Sequence, residues 1–179
     1  SHLSVFSNGL MPDKVLELML EMAGPNGTRN KNVVFAILLN WQTLENISEK
    51  NHERCKEVAE KMLLTNGYSV TFSLNLYSKD QDLEKQCEEI DNIYQKVGLP
   101  KDQLYKIRVS PAFPIIGGEA NIYLPIRDYP KVGQQMLKIL ERFPQMCFRF
   151  DCSFPPCFLD EIQESQFSLT DRFFFHGNK

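Results

Sequence analysis

Hydrophobic and polar positions along this chain follow two rhythms, one of period two and one near 3.6. Period two appears in Val70-Thr71-Phe72-Ser73-Leu74-Asn75-Leu76, in Lys106-Ile107-Arg108-Val109-Ser110 and in Cys147-Phe148-Arg149-Phe150-Asp151. Strand side chains point to opposite faces in turn. Each stretch therefore predicts a strand with one apolar face: Val70/Phe72/Leu74/Leu76, Ile107/Val109 and Phe148/Phe150. The other faces are largely polar: Thr71/Ser73/Asn75, Lys106/Arg108/Ser110 and Cys147/Arg149/Asp151. Helices suit the apolar faces. The polar faces must meet water or a polar ligand, because burying unpaired polar groups is costly. This pattern predicts a helix-covered sheet curling around a polar cavity.

Two more strands are expected upstream. Leu3–Phe6 is a short apolar run that ends in the turn signal Ser7-Asn8-Gly9, and Val33–Leu39 is a continuous apolar run. Continuous runs are typical of strands buried on both faces of a parallel sheet. Between the strands, apolar residues recur at helical spacing. Val15, Leu16, Met19 and Met22 follow Pro12, and Gly24-Pro25-Asn26-Gly27 closes that helix. Cys55, Val58, Ala59, Met62 and Leu63 follow a Ser48 cap and end at Asn66-Gly67. Leu83, Cys87, Ile90, Tyr94 and Val97 follow an expected Asp80 cap and end at Gly98. Val132, Met136, Leu140 and Phe143 follow Asp128 and Pro130.

Each helical crossover is long enough to join parallel strands. The expected fold class is α/β: a parallel sheet of about five strands with crossover helices. Such units fit an open doubly wound sheet or part of a barrel, and the polar stripes favour a partial (β/α) barrel. Residues 1–160 are expected to form this domain, with 161–179 as a C-terminal tail. Within the tail, Phe173-Phe174-Phe175 reads as an exposed apolar patch that would prefer a partner. The long 111–127 segment, with Gly117-Gly118, reads as a loop. Ligands of parallel α/β sheets bind at the carboxyl ends of the strands. That places Asn8, Asn40, Asn75, Ser110 and Asp151/Cys152 near one rim.

Composition changes this picture only at the margins. The 179 residues are 42% hydrophobic with a formal net charge of −3, an ordinary globular balance. No basic stripe calls for nucleic acid, and no run approaches the ~20 apolar residues of a membrane span. The start, Ser1-His2-Leu3-Ser4, lacks the charged-then-apolar order of a signal peptide. Five cysteines without dense spacing suit a reducing compartment, so a cytoplasmic location is expected. Cys55 and Cys87 fall on apolar helix stripes as small core residues.

Candidate chemistry is sparse. Gly-x-x-x-x-Gly-Lys, Gly-x-Gly-x-x-Gly and Gly-x-Ser-x-Gly are absent. His2, His52 and His176 are scattered, which argues against a histidine triad or zinc site, and His52 is expected in solvent. The carboxylates Glu84/Glu88/Glu89/Asp91 read as a solvated helix face. The suggestive string is Asp151-Cys152-Ser153-Phe154-Pro155-Pro156-Cys157-Phe158, in which two thiols flank a Pro-Pro turn beyond a strand. It suits either one buried and one surface thiol or a pair of soft ligands for an iron–sulfur cluster.

Val5-Phe6-Ser7-Asn8-Gly9-Leu10, followed by a helix, resembles the "SNG" or "TNG" strand end of radical S-adenosylmethionine enzymes. The strands Val33–Asn40, Val70–Asn75 and Tyr105–Pro111 fit the same family, and "FDCSFPPCFL" resembles the start of its cysteine-bearing C-terminal region. The resemblance spans roughly residues 3–160. The family's Cys-x-x-x-Cys-x-x-Cys loop is missing, and the cysteines at 55, 87, 147, 152 and 157 cannot produce it. The resemblance thus implies the C-terminal portion of a radical enzyme, inactive alone, whose parent uses S-adenosylmethionine and a [4Fe-4S] cluster. By position, Asn40 would approach the cofactor's ribose or methionine part. Asn75, Arg108 and Ser110 would line the cavity and hold a carboxylate, and Cys152 and Cys157 would ligate an auxiliary cluster. Arg108 also suits a structural ion pair with Asp151. The implied partners are a peptide or small-molecule substrate and, through an open strand edge at Leu3–Ser7, a second copy of the chain. The other reading of the same residues is a stand-alone α/β domain that binds a small anionic ligand or a protein without catalysis.

Overall fold

The computed structural model describes residues 2–23, 34–42, 47–65, 68–98, 104–112, 123–150 and 173–175. Strands and helices alternate in the order β1 (His2–Ser7), α1 (Asp13–Ala23), β2 (Val34–Asn40), α2 (Glu49–Leu64), β3 (Tyr68–Leu76), α3 (Leu83–Val97), β4 (Tyr105–Pro111), α4 (Tyr129–Arg142), β5 (Met146–Phe150) and β6 (Phe173–Phe175). A single 3-10 turn, Ile126–Asp128, leads into α4. The sheet is parallel and its strand order is the chain order, β1-β2-β3-β4-β5-β6. The α/β class and the five expected strands are present. Among the described residues no helix is long and apolar enough to cross a membrane.

The chain divides into two compact units, Ser1–Ser73 with Glu89–Pro100, and Leu74–Glu88 with Lys101–Lys179. The dividing line crosses β3 and α3, so both elements contribute to both units. In the first unit, β1, β2 and β3 follow one another without reversal. Right-handed crossovers that always advance in one direction keep their helices on one face.

That face is the buried one. Phe35, Ile37 and Leu39 of β2 lie in register with Tyr68, Val70 and Phe72 of β3, and all but the half-buried Tyr68 are fully buried. Phe72 packs edge-on against Trp41 and against Tyr94 of α3. From α2 come Cys55, Val58, Ala59 and Met62. Ser48 caps α2 as expected, its Oγ accepting the Asn51 N–H (3.4 Å). Val33–Leu39 was expected to be buried on both faces, but Ala36 and Leu38 are only half-buried. Here the apolar run conceals a strand covered on one side.

Two more expectations are corrected in this unit. Only Leu16 of the α1 set is buried; Met19 is half-buried, and Val15 and Met22 are exposed along with Leu18. The helix has turned Leu16 inward and left the 15/18/22 stripe outside. His52 is 1% exposed rather than solvated. It stands three residues before Cys55 and seven before Ala59, on the buried stripe of α2.

In the second unit, Ile107 and Val109 of β4 and Phe148 and Phe150 of β5 are buried. The α4 stripe of Val132, Met136, Ile139 and Leu140 supplies the other half of this core. The α3 cap is Asp82 rather than Asp80: Asp82 Oδ1 accepts the Lys85 N–H (2.9 Å). The preceding turn is longer than the sequence suggests because Gln81 closes it, Oε1 accepting from Tyr77 N–H and Nε2 donating to the Asn75 carbonyl. Phe173–Phe175 forms the short strand β6, paired with Phe148–Phe150. The expected turns at 24–27 and 66–67, the Gly117-Gly118 pair, Asp151, Cys152 and Cys157 lie outside the described residues.

Candidate functional site

The sheet has an alternate face, formed by the positions between the buried ones, and it is where the polar stripes were expected. In the first unit its rows read Ser4–Ala36–Ser69, Phe6–Leu38–Thr71 and Asn40–Ser73. Asn40, the last residue of β2, is half-buried. Beside it, Ser73 is 0% exposed, and its Oγ meets no hydrogen-bond partner among the described residues. A buried hydroxyl without a partner carries a desolvation cost that a polar ligand could remove. The backbone here is fixed, with the Trp41 N–H donating to the Ser73 carbonyl (2.9 Å).

The Ser7-Asn8-Gly9 turn borders β1. Gly9 has φ +78°, and a Cβ there would come within 3.1 Å of Cys55. Its N–H donates to Ser7 Oγ (3.0 Å), the Leu10 N–H donates to Asn8 Oδ1 (3.1 Å), and the Cys55 thiol donates to the Asn8 carbonyl (3.1 Å). This turn needs glycine because it combines left-handed backbone with close packing on α2.

Beneath the end of β2 lies a polar cluster that sequence reasoning missed. Trp41 Nε1–H donates to Glu89 Oε2 (3.2 Å), and His52 Nε2 stands 3.1 Å from the same oxygen. Neither imidazole nitrogen makes an aligned hydrogen bond among the described residues, so the His52–Glu89 contact is a close approach rather than a directed bond. Glu89 is 17% exposed, unlike Glu84 and Glu88, which pair with Arg142 in solvent. The available signal was His52 on the Cys55/Ala59/Met62 stripe.

In the second unit, the Ala112 N–H donates to the Leu76 carbonyl (2.7 Å), joining the ends of β3 and β4. Just behind that bond are Asn75, exposed, and Ser110, half-buried. Arg108, half-buried, lies in register with exposed Arg149 of β5, and Lys106 with Cys147. The structure therefore places Asn75, Arg108 and Ser110 on the alternate face of one unit, while Asn40 belongs to the other. The Gln81–Gln86 pair (2.8 Å), both residues buried, braces the turn after Asn75.

The described cysteines are poor cluster ligands. Cys55, Cys87 and Cys147 are buried. Burial pushes the Cys55 thiol up, and burial together with the charge of Glu84 pushes Cys87 far above the usual thiol range. Such groups stay protonated, whereas metal ligands are thiolates. Among the described residues no group of three or more His, Cys, Asp or Glu side chains could hold a metal ion.

Comparison with known proteins returned no match to a family model, a curated protein or a solved structure.

Proposed function

We propose that this chain is the C-terminal portion of a radical S-adenosylmethionine iron–sulfur oxidoreductase, contributing the cofactor and substrate cavity but not the catalytic cluster. The observation that carries this reading is the Asn40–Ser73 row, at the carboxyl end of β2 and within the second half of β3. A half-buried amide beside a buried, unpartnered hydroxyl suits the ribose or methionine part of a polar cofactor. Support also comes from the strand order. Six parallel strands in sequence have no switch point at which an open doubly wound sheet would bind its ligand. Sequential βα units are the building plan of a (β/α) barrel, whose sites sit at these same strand ends.

In the parent enzyme, the cluster would supply the chemistry that cleaves S-adenosylmethionine. The residues of this chain bind and orient. In the first unit Asn40 and Ser73 hold the ribose or methionine part of the cofactor; in the second unit Asn75, Arg108 and Ser110 offer donors to a carboxylate. Cys152 and Cys157 are the proposed auxiliary ligands. The substrate is a peptide or small molecule, and the compartment is the reducing cytoplasm.

Anaerobic iron and sulfide reconstitution of the full-length parent tests the proposal. Charge-transfer absorbance should develop, and Ser73→Ala with Asn40→Ala should weaken S-adenosylmethionine binding without bleaching the cluster. A parent that stays colourless and metal-free overturns it.

A second reading, a non-catalytic domain for a small anionic ligand, is favoured by one observation: Arg108 and Arg149 share a row.

A further inference from the structure

We infer that Arg108 and Arg149 form a paired-guanidinium site for an oxyanion ligand carrying two negative charges, either a phosphate monoester or a dicarboxylate. The inference deepens the second reading above. β4 and β5 are neighbours in a parallel ladder, and Arg108 is the register partner of Arg149. Neighbouring strands run roughly 4.8 Å apart, so the two side chains leave the same face of the sheet side by side. Like charges directly opposite each other on adjacent strands are destabilising. A chain with net charge −3 has no general excess of cations to scatter at random. Yet the described strand positions of this face in the second unit are Asn75, Lys106, Arg108, Ser110, Cys147, Arg149 and Phe174, three of the seven cationic.

The geometry suits an oxyanion bound from above the sheet. The backbone of β4 and β5 is committed to pairing, so recognition falls to side chains. Arg149 is exposed and Arg108 half-buried, so a ligand approaching the row meets one guanidinium at the surface and one lower down. Both arginines also interact within the chain. A guanidinium has five N–H donors in a planar fork, enough for an internal acceptor and a ligand oxygen together. Two forks side by side match two oxygens of a phosphate or one carboxylate each. Ser110, two residues beyond Arg108 on the same face, adds a hydroxyl, and Lys106, two residues before it, adds charge. The carboxyl half of a parallel sheet is also where such ligands bind.

Titration calorimetry on the purified chain tests this with phenyl phosphate, succinate and acetate as probes. Both dianions should bind, with acetate weaker by roughly tenfold or more, since each charge-assisted contact is worth about that factor. Whichever dianion binds more tightly identifies the ligand class. Arg149→Gln should cost roughly tenfold or more, and Arg149→Lys should recover part of it. Arg142→Gln, on an exposed helix face, should leave binding unchanged. Circular dichroism of Arg149→Gln should match the parent, because that side chain is exposed. If Arg149→Gln binds as the parent does while Arg108→Gln does not, the paired site is overturned and the single-arginine reading stands. If neither dianion binds, both fall.

Discussion

The two units treat their covered faces alike and their alternate faces differently. Under the helices, Phe35, Ile37, Leu39, Val70 and Phe72 in the first unit correspond in kind to Ile107, Val109, Phe148 and Phe150 in the second. On the alternate face, the first unit shows Ser4, Phe6, Ala36, Leu38, Asn40, Ser69, Thr71 and Ser73, without a charge among them and with Phe6 72% exposed. The second shows Lys106, Arg108, Ser110 and Arg149. The lesson is a division of labour within one strand pattern. Alternate positions that face helices are fixed by the hydrophobic effect, and those between them are free to acquire chemistry.

Substitution can break or sharpen this contrast. Phe72→Ala removes a fully buried ring that meets Trp41 and Tyr94, and should cost about 3–5 kcal/mol in urea denaturation. Ile107→Ala should cost about 2–5 kcal/mol in the second unit. If either loss fell below about 1 kcal/mol, the covered faces would not be equivalent cores. Glu89→Leu should cost about 1–3 kcal/mol, because it leaves the Trp41 indole N–H buried without its acceptor and removes the carboxylate beside His52. Gly9→Ala should cost about 1–2 kcal/mol through left-handed strain and the contact with Cys55. Phe6→Ser, on the open alternate face, should change stability by no more than about 0.5 kcal/mol. A larger loss would mean that something covers that face in solution.

Much of the fold was legible because its signals are local. Alternation marked β3, β4 and β5 within one or two residues at each end, and Ser48 and Gly98 stand at the helix ends where capping chemistry expects them. What was not legible depends on partners distant in sequence. No local rule tells that Val33–Leu39 meets helices on one side only. Nor does one tell that Gln81 would displace the α3 cap from Asp80 to Asp82, or that Phe173–Phe175 would find β5. His52 was misread because polarity was weighed above its place on an apolar stripe, and its near neighbour, Glu89, lies 37 positions away on another helix. Of the candidate site, the register shows Asn40 next to Ser73, and Arg108 next to Arg149. The first partner was in the expected polar stripe without a role, and the second emerged only from strand pairing.

Trp41 is the only tryptophan in the chain. Its indole is buried in the first unit, bonded to Glu89 and edge-on to His52 and Phe72. The molecule thus carries an optical label that reports on one unit and is silent on the other. Intrinsic fluorescence followed beside far-ultraviolet dichroism during denaturation will therefore read the first unit against the whole. Coincident curves mark one cooperative transition, and separated curves mark two.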